Sequence, residues 1–129
     1  MSHLRDYRMK RIGILGLALG IVLAQPAAAG DFAYHRSVSL KVGQSIVLKG
    51  VRNHNCGTRP PGWTSIQRQL PKSKLGSFSD GGTGTVQSNF CRERHDIKRV
   101  AARGVRFTAR TRGQERLTIL RDPVSITVR

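Results

Sequence analysis

Short runs of alternating hydrophobic and polar residues constrain the fold of this chain more than any other feature. The clearest runs occupy residues 37–42, 105–110 and 124–128. Alternation with a period of two is typical of a β-strand that buries one face. Turn-forming segments rich in Gly separate the runs, notably at 57–62, 80–84 and 112–114. Short strands between such turns predict an all-β sandwich rather than a βαβ fold.

We expect about seven short antiparallel strands in this sandwich. Ile46 and Leu48 begin one further strand, Leu117 and Ile119 belong to another, and residues 63–67 alternate as a third strand would. Residues 91–103 are ambiguous, because their hydrophobic side chains recur near helical spacing and allow a turn or two of helix. The chain shows no internal repeat and no second domain.

The N-terminal residues have the three-part order of a secretory signal peptide. A basic stretch at 9–11 precedes an apolar run at 12–24, and Ala27 and Ala29 supply small residues for cleavage. We therefore predict a signal peptide at 1–29 and a domain at 30–129, either periplasmic or secreted. The apolar run of about 13 residues spans roughly 20 Å as a helix, short of the ~30 Å hydrocarbon core. A retained N-terminal anchor is the alternative, and membrane contact is otherwise expected only through surface charge.

The chain contains two cysteines, Cys56 and Cys91, and both belong to the predicted exported part. In an oxidising compartment an even number of cysteines predicts a disulfide. Closing a loop of this length stabilises a fold by roughly 3–4 kcal/mol in the chain-entropy model. A metal site or a reactive thiol is the competing interpretation, but no further ligand at suitable spacing and no CxxC motif supports it. We expect no metal and no cofactor.

Two segments resemble motifs of bacterial Ig-like and cadherin-like domains. Residues 70–78 resemble the strand entry written P-x-x-G-x-V, and residues 105–119 resemble the late hairpin of these domains. The resemblance implies an Ig-like antiparallel β-sandwich, preceded here by the signal-peptide helix, and an adhesive or spacer role. In this sequence residues 115–117 replace the Asp-x-Phe element of the hairpin, and no acidic cluster of the kind that holds calcium is present.

Positive charge is the strongest functional signal. The full chain has a formal net charge of +16, and 17 of its 23 basic residues are Arg. Cleavage after Ala29 leaves 19 basic and 6 acidic residues, so about +13 of that charge is exported. Guanidinium groups suit bidentate binding of phosphate or carboxylate. The alternative interpretation is a generic solvated surface, since the outward positions of strands are ordinarily polar.

Two groups of arginines are candidates for binding a polyanion. If Val105 and Phe107 face the core, the intervening positions of that strand face outward in a row, and the following hairpin extends the row. A second basic concentration flanks Cys91. The candidate residues are Arg106, Arg110, Arg112 and Arg116 in the row, and Arg92, Arg94, Arg99 and Arg103 beside the cysteine.

Export determines which polyanions are expected as partners. They are lipopolysaccharide, acidic polysaccharide and anionic lipid headgroups, all of which an exported protein meets. Nucleic acid is not expected, because the chain has few aromatic residues for base stacking and no recognised nucleic-acid motif. The sequence does not determine the oligomeric state.

The alternative function is a protein-binding or inhibitor module that acts through the stiff loop at 56–63. Its candidate residues are Arg59, Pro60, Pro61 and Trp63. Trp63 has two interpretations: an exposed ring that stacks on a sugar, or, as the Ig-like resemblance implies, a core residue beside the disulfide on the third strand. We do not expect an enzyme, because no GxSxG, HExxH or paired-carboxylate motif is present.

Overall fold

The computed structural model describes residues 30–129, which form six β-strands and two short α-helices. The elements in chain order are β1 (Ser37–Leu40), β2 (Ser45–Arg52), α1 (Trp63–Gln67), β3 (Gly76–Gln87), α2 (Asn89–His95), β4 (Arg99–Ala109), β5 (Gly113–Ile119) and β6 (Asp122–Val128). The predicted signal peptide at 1–29 lies outside the described residues. Within those residues the prediction of a mostly β fold is confirmed, with six strands instead of about seven.

The strands form two three-stranded sheets with a shared core. One sheet has the order β1-β6-β5, and the other has the order β2-β4-β3 and is antiparallel. The prediction of antiparallel strands is wrong for one pair, because β1 is parallel to β6. The alternating residues Val105, Phe107 and Ala109 of β4 are at most 1% exposed and join the core, as predicted. Alternate residues of β6, among them Val124 and Ile126, belong to the same core.

The strand predicted at residues 63–67 is wrong, because these residues form the helix α1. The helix begins directly after Gly62 and buries Ile66. Trp63 and Leu70 are partly buried against the same core. Residues 63, 66 and 70 are three and four positions apart, so their side chains lie on one face of a helix. A helical period therefore describes this segment better than the period of two expected for a strand.

The turn predicted at residues 80–84 is also wrong, since these residues lie inside β3. Asp80 pairs with Val105 and Thr83 pairs with Arg103, so β3 carries one extra residue as a β-bulge. Gly82 has φ +87°, and its amide donates to the Asp80 side chain at 2.8 Å. The glycine run therefore allows a bulge within the strand and does not end it.

The hairpin predicted across residues 105–119 is not formed, because β4 and β5 belong to different sheets. Residues 110–112 carry the chain from one sheet to the other. The observed hairpin joins β5 to β6 through a tight turn at Leu120 and Arg121, which have φ of +48° and +78°. Two consecutive left-handed residues without Gly or Asn cost free energy, of order 1–2 kcal/mol each.

The outer face of the β2-β4-β3 sheet is covered over one half and open over the other. In the covered half, the Phe32 ring packs where Gly50, Gly84 and Gly104 leave room; a Cβ on any of them would lie 2.7–2.9 Å from that ring. The N-terminal segment 30–36 that carries Phe32 is held by the amide of Phe32, which donates to Thr85 O at 2.8 Å. Each of the three strands thus has a glycine at the position where the Phe32 ring packs.

The predicted disulfide is confirmed: Cys56 is bonded to Cys91, with Cα atoms 5.7 Å apart. Both cysteines are buried together with Val100 in a second cluster, separate from the main core. The bond attaches α2 to the loop that follows β2. Of the ambiguous segment 91–103, the first residues belong to α2 and the last belong to β4.

Candidate functional site

The eight arginines predicted to bind a polyanion do not form one row, and they fall into separate regions of the described surface. Arg106 and Arg110 lie on the open half of the β2-β4-β3 sheet and just beyond it. Arg112 is exposed in the connection between the sheets, and Arg116 lies on the other sheet. Arg92, Arg94 and Arg99 are exposed on α2 and at the start of β4. Arg103 points to the inner side of the β2-β4-β3 sheet, where it contacts Asp80 and Pro61.

We define the sheet face as the open half, formed by Arg106, Arg110, Ser45, Ser77 and Thr108. Its guanidinium groups donate to protein oxygens: Nη1 of Arg106 lies 3.3 Å from Asp80 O, and Nε of Arg110 lies 3.2 Å from Ser77 Oγ. The hydroxyls of Ser45 and Thr108 are 2.7 Å apart. The face is flat and polar, and its arginines already have partners within the sheet.

Arg103, also predicted to bind a polyanion, has partners within the domain. Its side chain is only 20% exposed, and Nη1 lies 2.9 Å from Asp80 Oδ2. Its Nε donates to Pro61 O at 2.7 Å. Because Arg103 has the same parity on β4 as Val105, it points to the inner side of the sheet and fastens the loop at 57–62 there.

We define the disulfide end as the region formed by Arg52, Phe90, Arg92 and Arg94 beside the Cys56–Cys91 bond. Phe90 is 44% exposed, although it is a large hydrophobic residue. The guanidinium carbons of Arg52 and Arg94 lie 5.4 Å and 5.3 Å from its ring centroid, within cation–π range. Phe90 and Arg94 are four residues apart and therefore share one flank of α2.

Arg52 and Phe90 are functional candidates that the sequence argument missed. They are distant in the chain and no local motif connects them. The predicted disulfide was the signal that would have found them, because Arg52 lies four residues before Cys56 and Phe90 immediately precedes Cys91.

Arg99 is held by an acidic partner from the N-terminal segment. Its Nε lies 2.9 Å from Asp31 Oδ2, and the Thr85 hydroxyl also donates to the Asp31 carboxylate. The Thr85 hydrogen bond, followed by the Arg99 guanidinium, lowers the pKa of Asp31 below its usual value. Arg99 is thus less available to an external anion than Arg52, Arg92 or Arg94.

A cleft of about 750 Å³ adjoins the disulfide end. Its walls are the N-terminal segment, the end of β2, the end of β3, α1 and the β5–β6 turn, and Arg52 belongs both to the cleft and to the disulfide end. Most of the lining side chains are polar. This volume falls within the range of pockets that bind small molecules or single units of a polymer.

Lys49 and Arg121 place positive charge on the cleft wall. The Lys49 ammonium lies 2.6 Å from Asp122 Oδ2 and 3.5 Å from the carbonyl oxygens of Ile119 and Leu120. It therefore fastens the strained β5–β6 turn of one sheet to β2 of the other. Arg121 is exposed at that turn, and in residues 30–129 neither Arg121 nor Arg52 is part of a salt bridge.

The loop predicted to bind a protein partner is tied to the body of the domain. Arg59 is exposed, but its carbonyl accepts from Asn53 Nδ2 at 2.8 Å, and Pro61 O accepts from Arg103. Pro60 is half-buried. Trp63 lies on α1 at the edge of the main core and not on a third strand beside the disulfide, so that part of the prediction is wrong.

No group of three or more His, Cys, Asp or Glu side chains in residues 30–129 is arranged to hold a metal ion. No helix in the same residues is long and apolar enough to cross a membrane.

Comparison with known proteins found no matching family model, no matching curated protein and no matching solved structure. The functional argument therefore rests on the chemistry of the cleft and the disulfide end.

Proposed function

We propose that this domain is an exported binding module for anionic polymers of the cell envelope, and that it binds them along the cleft and the disulfide end. The polymers in view are lipopolysaccharide, acidic polysaccharide and surfaces of anionic lipid headgroups. The observation that carries the proposal is the cleft lined by Arg121 and Arg52, together with Arg94, which shares the Phe90 ring with Arg52; none of the three has a carboxylate partner within 4.0 Å among residues 30–129.

Concavity favours this surface over the sheet face. A cleft surrounds a polymer unit with low-dielectric walls, which strengthens the attraction between a guanidinium group and an anion. Arg106 and Arg110 do not line this cleft, and both donate to protein oxygens of the sheet. A ligand at the sheet face must compete with those acceptors.

The overall charge supports an electrostatic mode of association. Residues 30–129 carry nineteen basic side chains, and the structure shows three salt bridges among them. Such an excess raises the rate of encounter with a polyanion and makes binding sensitive to salt.

The test is retention of the purified protein on immobilised lipopolysaccharide, acidic polysaccharide and DNA over a series of salt concentrations. We expect tight retention on an envelope polymer that falls steeply with salt, since each released counterion adds to the slope. Weak retention on every polymer at low salt contradicts the proposal. Equal retention on all polymers, DNA included, makes the charge a generic property of the surface and also contradicts it.

The alternative function is a protein-binding or inhibitor module at the loop that contains Arg59, Pro60 and Pro61. The hydrogen bonds that tie this loop to Asn53 and Arg103 support it, because a preorganised loop loses little entropy on binding. Affinity for a protein partner at this loop is expected to depend only weakly on salt. The salt series therefore separates the two functions.

We also propose that the two-sheet fold is related to Ig-like domains. The facing of two β-sheets over one core supports this relation. The disulfide departs from the antibody arrangement, because Cys56 and Cys91 lie in a loop and a helix and form a cluster of their own.

A further inference from the structure

We propose that Arg52 and Arg94, oriented by Phe90, form a binding site for a phosphate monoester at the disulfide end. The inference rests on the proposed function and deepens it, because it names the chemical group of the polymer that the domain selects. Its basis is the geometry of two cationic side chains from different elements around one exposed ring.

The ring orients both guanidinium groups. Their central carbons lie 5.4 Å and 5.3 Å from the ring centroid, so the two groups are separated by no more than the sum of these distances. Arg52 is further fixed because its Nη1 donates to Asn53 O at 2.9 Å. When a guanidinium group contacts the π face of a ring, its remaining N–H groups point outward and donate hydrogen bonds to an anion there.

The disulfide holds the two halves of this site together. Arg52 ends β2, whereas Phe90 and Arg94 belong to α2, a helix of seven residues that is too short to be stable alone. The bond between Cys56 and Cys91 fixes this helix to the loop after β2. The distance between the two arginines is therefore set before any ligand arrives, which lowers the entropic cost of binding.

The charge of the pair selects the ligand. Two cations near one ring repel each other, and neither has a carboxylate within 4.0 Å in the part of the chain that the structure describes. A phosphate monoester carries about −1.5 to −2 charges at pH 7 and three acceptor oxygens. A phosphodiester or a carboxylate carries one negative charge, so it leaves one arginine uncompensated.

Four titratable groups lie close in the chain to the two arginines. Glu93 and Asp96 are exposed on or just after α2, and Glu93 is turned about 100° around the helix from Arg94. His54 and His95 are also exposed. The second pKa of a phosphate monoester lies near 6, so the monoester loses its additional charge in acid, and its advantage over a diester is expected to fall.

The experiment compares two kinds of phosphatidylcholine vesicle at equal surface charge, one with phosphatidic acid, a phosphate monoester, and the other with phosphatidylglycerol, a diester. We expect the purified protein to bind the monoester vesicles at least about fivefold more tightly at pH 7.5, and the ratio to approach one at pH 5. Inorganic phosphate at millimolar concentration is expected to compete at pH 7.5, since the site recognises the phosphate group itself.

The variants separate the site from the overall charge. Arg52→Gln/Arg94→Gln is expected to abolish the monoester preference, and Phe90→Leu to reduce it, whereas Phe90→Tyr keeps the ring and retains it. The matched control, Arg112→Gln/Arg116→Gln, loses the same charge from the connection after β4 and from β5, and retains the preference. Circular dichroism confirms that each variant is folded.

The outcomes distinguish the inference from the function on which it rests. Equal binding to both kinds of vesicle, or an equal loss of the monoester preference in the control variant, overturns the phosphate site. If the protein still binds an envelope polymer in a salt-sensitive way, the proposed function stands. Failure of inorganic phosphate to compete also overturns the site. Absence of binding to either vesicle and to every envelope polymer overturns both proposals.

Discussion

The sheet face and the disulfide end are two basic surfaces of one domain, and they differ in what their arginines contact. At the sheet face, Arg106 and Arg110 donate to oxygens of Asp80 and Ser77. At the disulfide end, Arg52 and Arg94 lie against the ring of Phe90. Arg52 also donates to a protein oxygen, Asn53 O at 2.9 Å, so the two surfaces differ in the aromatic face, which orients a guanidinium group without accepting a hydrogen bond from it.

Distance makes the comparison experimentally useful. Arg52 pairs with Ala102 of β4, so the sheet-face residues Arg106 and Arg110 lie four and eight residues further along the chain, about 13 and 26 Å away. Charges separated by such distances interact only weakly at physiological salt, where the Debye length is about 8 Å. Substitutions in the two regions are therefore expected to act independently.

Removing the disulfide is expected to have the largest effect. Cys56→Ala/Cys91→Ala should lower the free energy of unfolding by about 3–4 kcal/mol, because the bond closes a loop with a sequence separation of 35 residues. Urea denaturation measures this loss. Hydrogen exchange on the same variant should show lost protection at residues 99–103 and preserved protection at 105–109. An equal loss along all of β4 contradicts the separation of the two regions.

Neutralising the arginines of each region compares them directly. Arg52→Gln/Arg94→Gln is expected to weaken binding to a phosphorylated envelope polymer about tenfold and to reduce the salt slope by one to two contacts. Arg106→Gln/Arg110→Gln removes the same charge from the sheet face and should weaken binding by less than about threefold. Equilibrium binding over the same salt series measures both, and similar losses in both variants are inconsistent with a preferred surface.

The strained turn at the cleft provides a prediction in which stability and binding change in opposite directions. Arg121→Gly relieves a residue with φ +78° and should raise the free energy of unfolding by about 1 kcal/mol. The same substitution removes a cation from the cleft and should weaken polymer binding by about two- to threefold. Thermal unfolding and binding assays of one variant test both parts, and Arg112→Gly, at an exposed position without positive φ, is the control. Unchanged polymer binding by the Arg121→Gly variant would show that the β5–β6 turn is not part of the binding site.

The smallest expected effect concerns the acid dependence of stability through Asp31. Hydrogen bonds hold the folded-state pKa of Asp31 below its usual value, so they stabilise the fold above that usual pKa, and this contribution is lost as the pH falls through the folded-state pKa. Asp31→Asn should therefore be less stable than the wild type at pH 7, and the difference should disappear in strong acid, below the folded-state pKa. Unfolding midpoints at the two pH values measure it. A difference that persists in acid assigns it to packing and not to charge.

Several parts of the fold follow from local sequence patterns. The alternation at 105–109 and 124–128 predicts strands with one buried face, and the burial of Phe107 and Ile126 confirms it. The disulfide was predictable because the sequence contains two cysteines and the predicted export signal implies an oxidising compartment. Each of these predictions depends only on residues that are close together in the chain or on the presence of a rare residue type.

Other parts depend on contacts between distant residues, and the sequence predicted them wrongly. The glycine run after Asp80 indicates a turn when taken alone, but pairing with β4 on one side makes it a bulge. Its closeness to Cys91 in the sequence grouped Arg103 with the exposed arginines there, whereas in the structure it is only 20% exposed and donates to Pro61 O of the loop at 57–62. The grouping of Arg52 with Phe90 arises only when the disulfide brings α2 to the end of β2. In each case tertiary contacts determine the outcome and local propensity does not.

The most direct test of the account is an NMR titration of the isotope-labelled protein with a soluble phosphorylated fragment of an envelope polymer. The account predicts that chemical shifts change progressively at Arg52, Phe90 and Arg94 and in the turn at Arg121, while the amides of Arg106, Thr108 and Arg110 remain in place. Shift changes concentrated at the sheet face, or spread evenly over all exposed arginines, would contradict it.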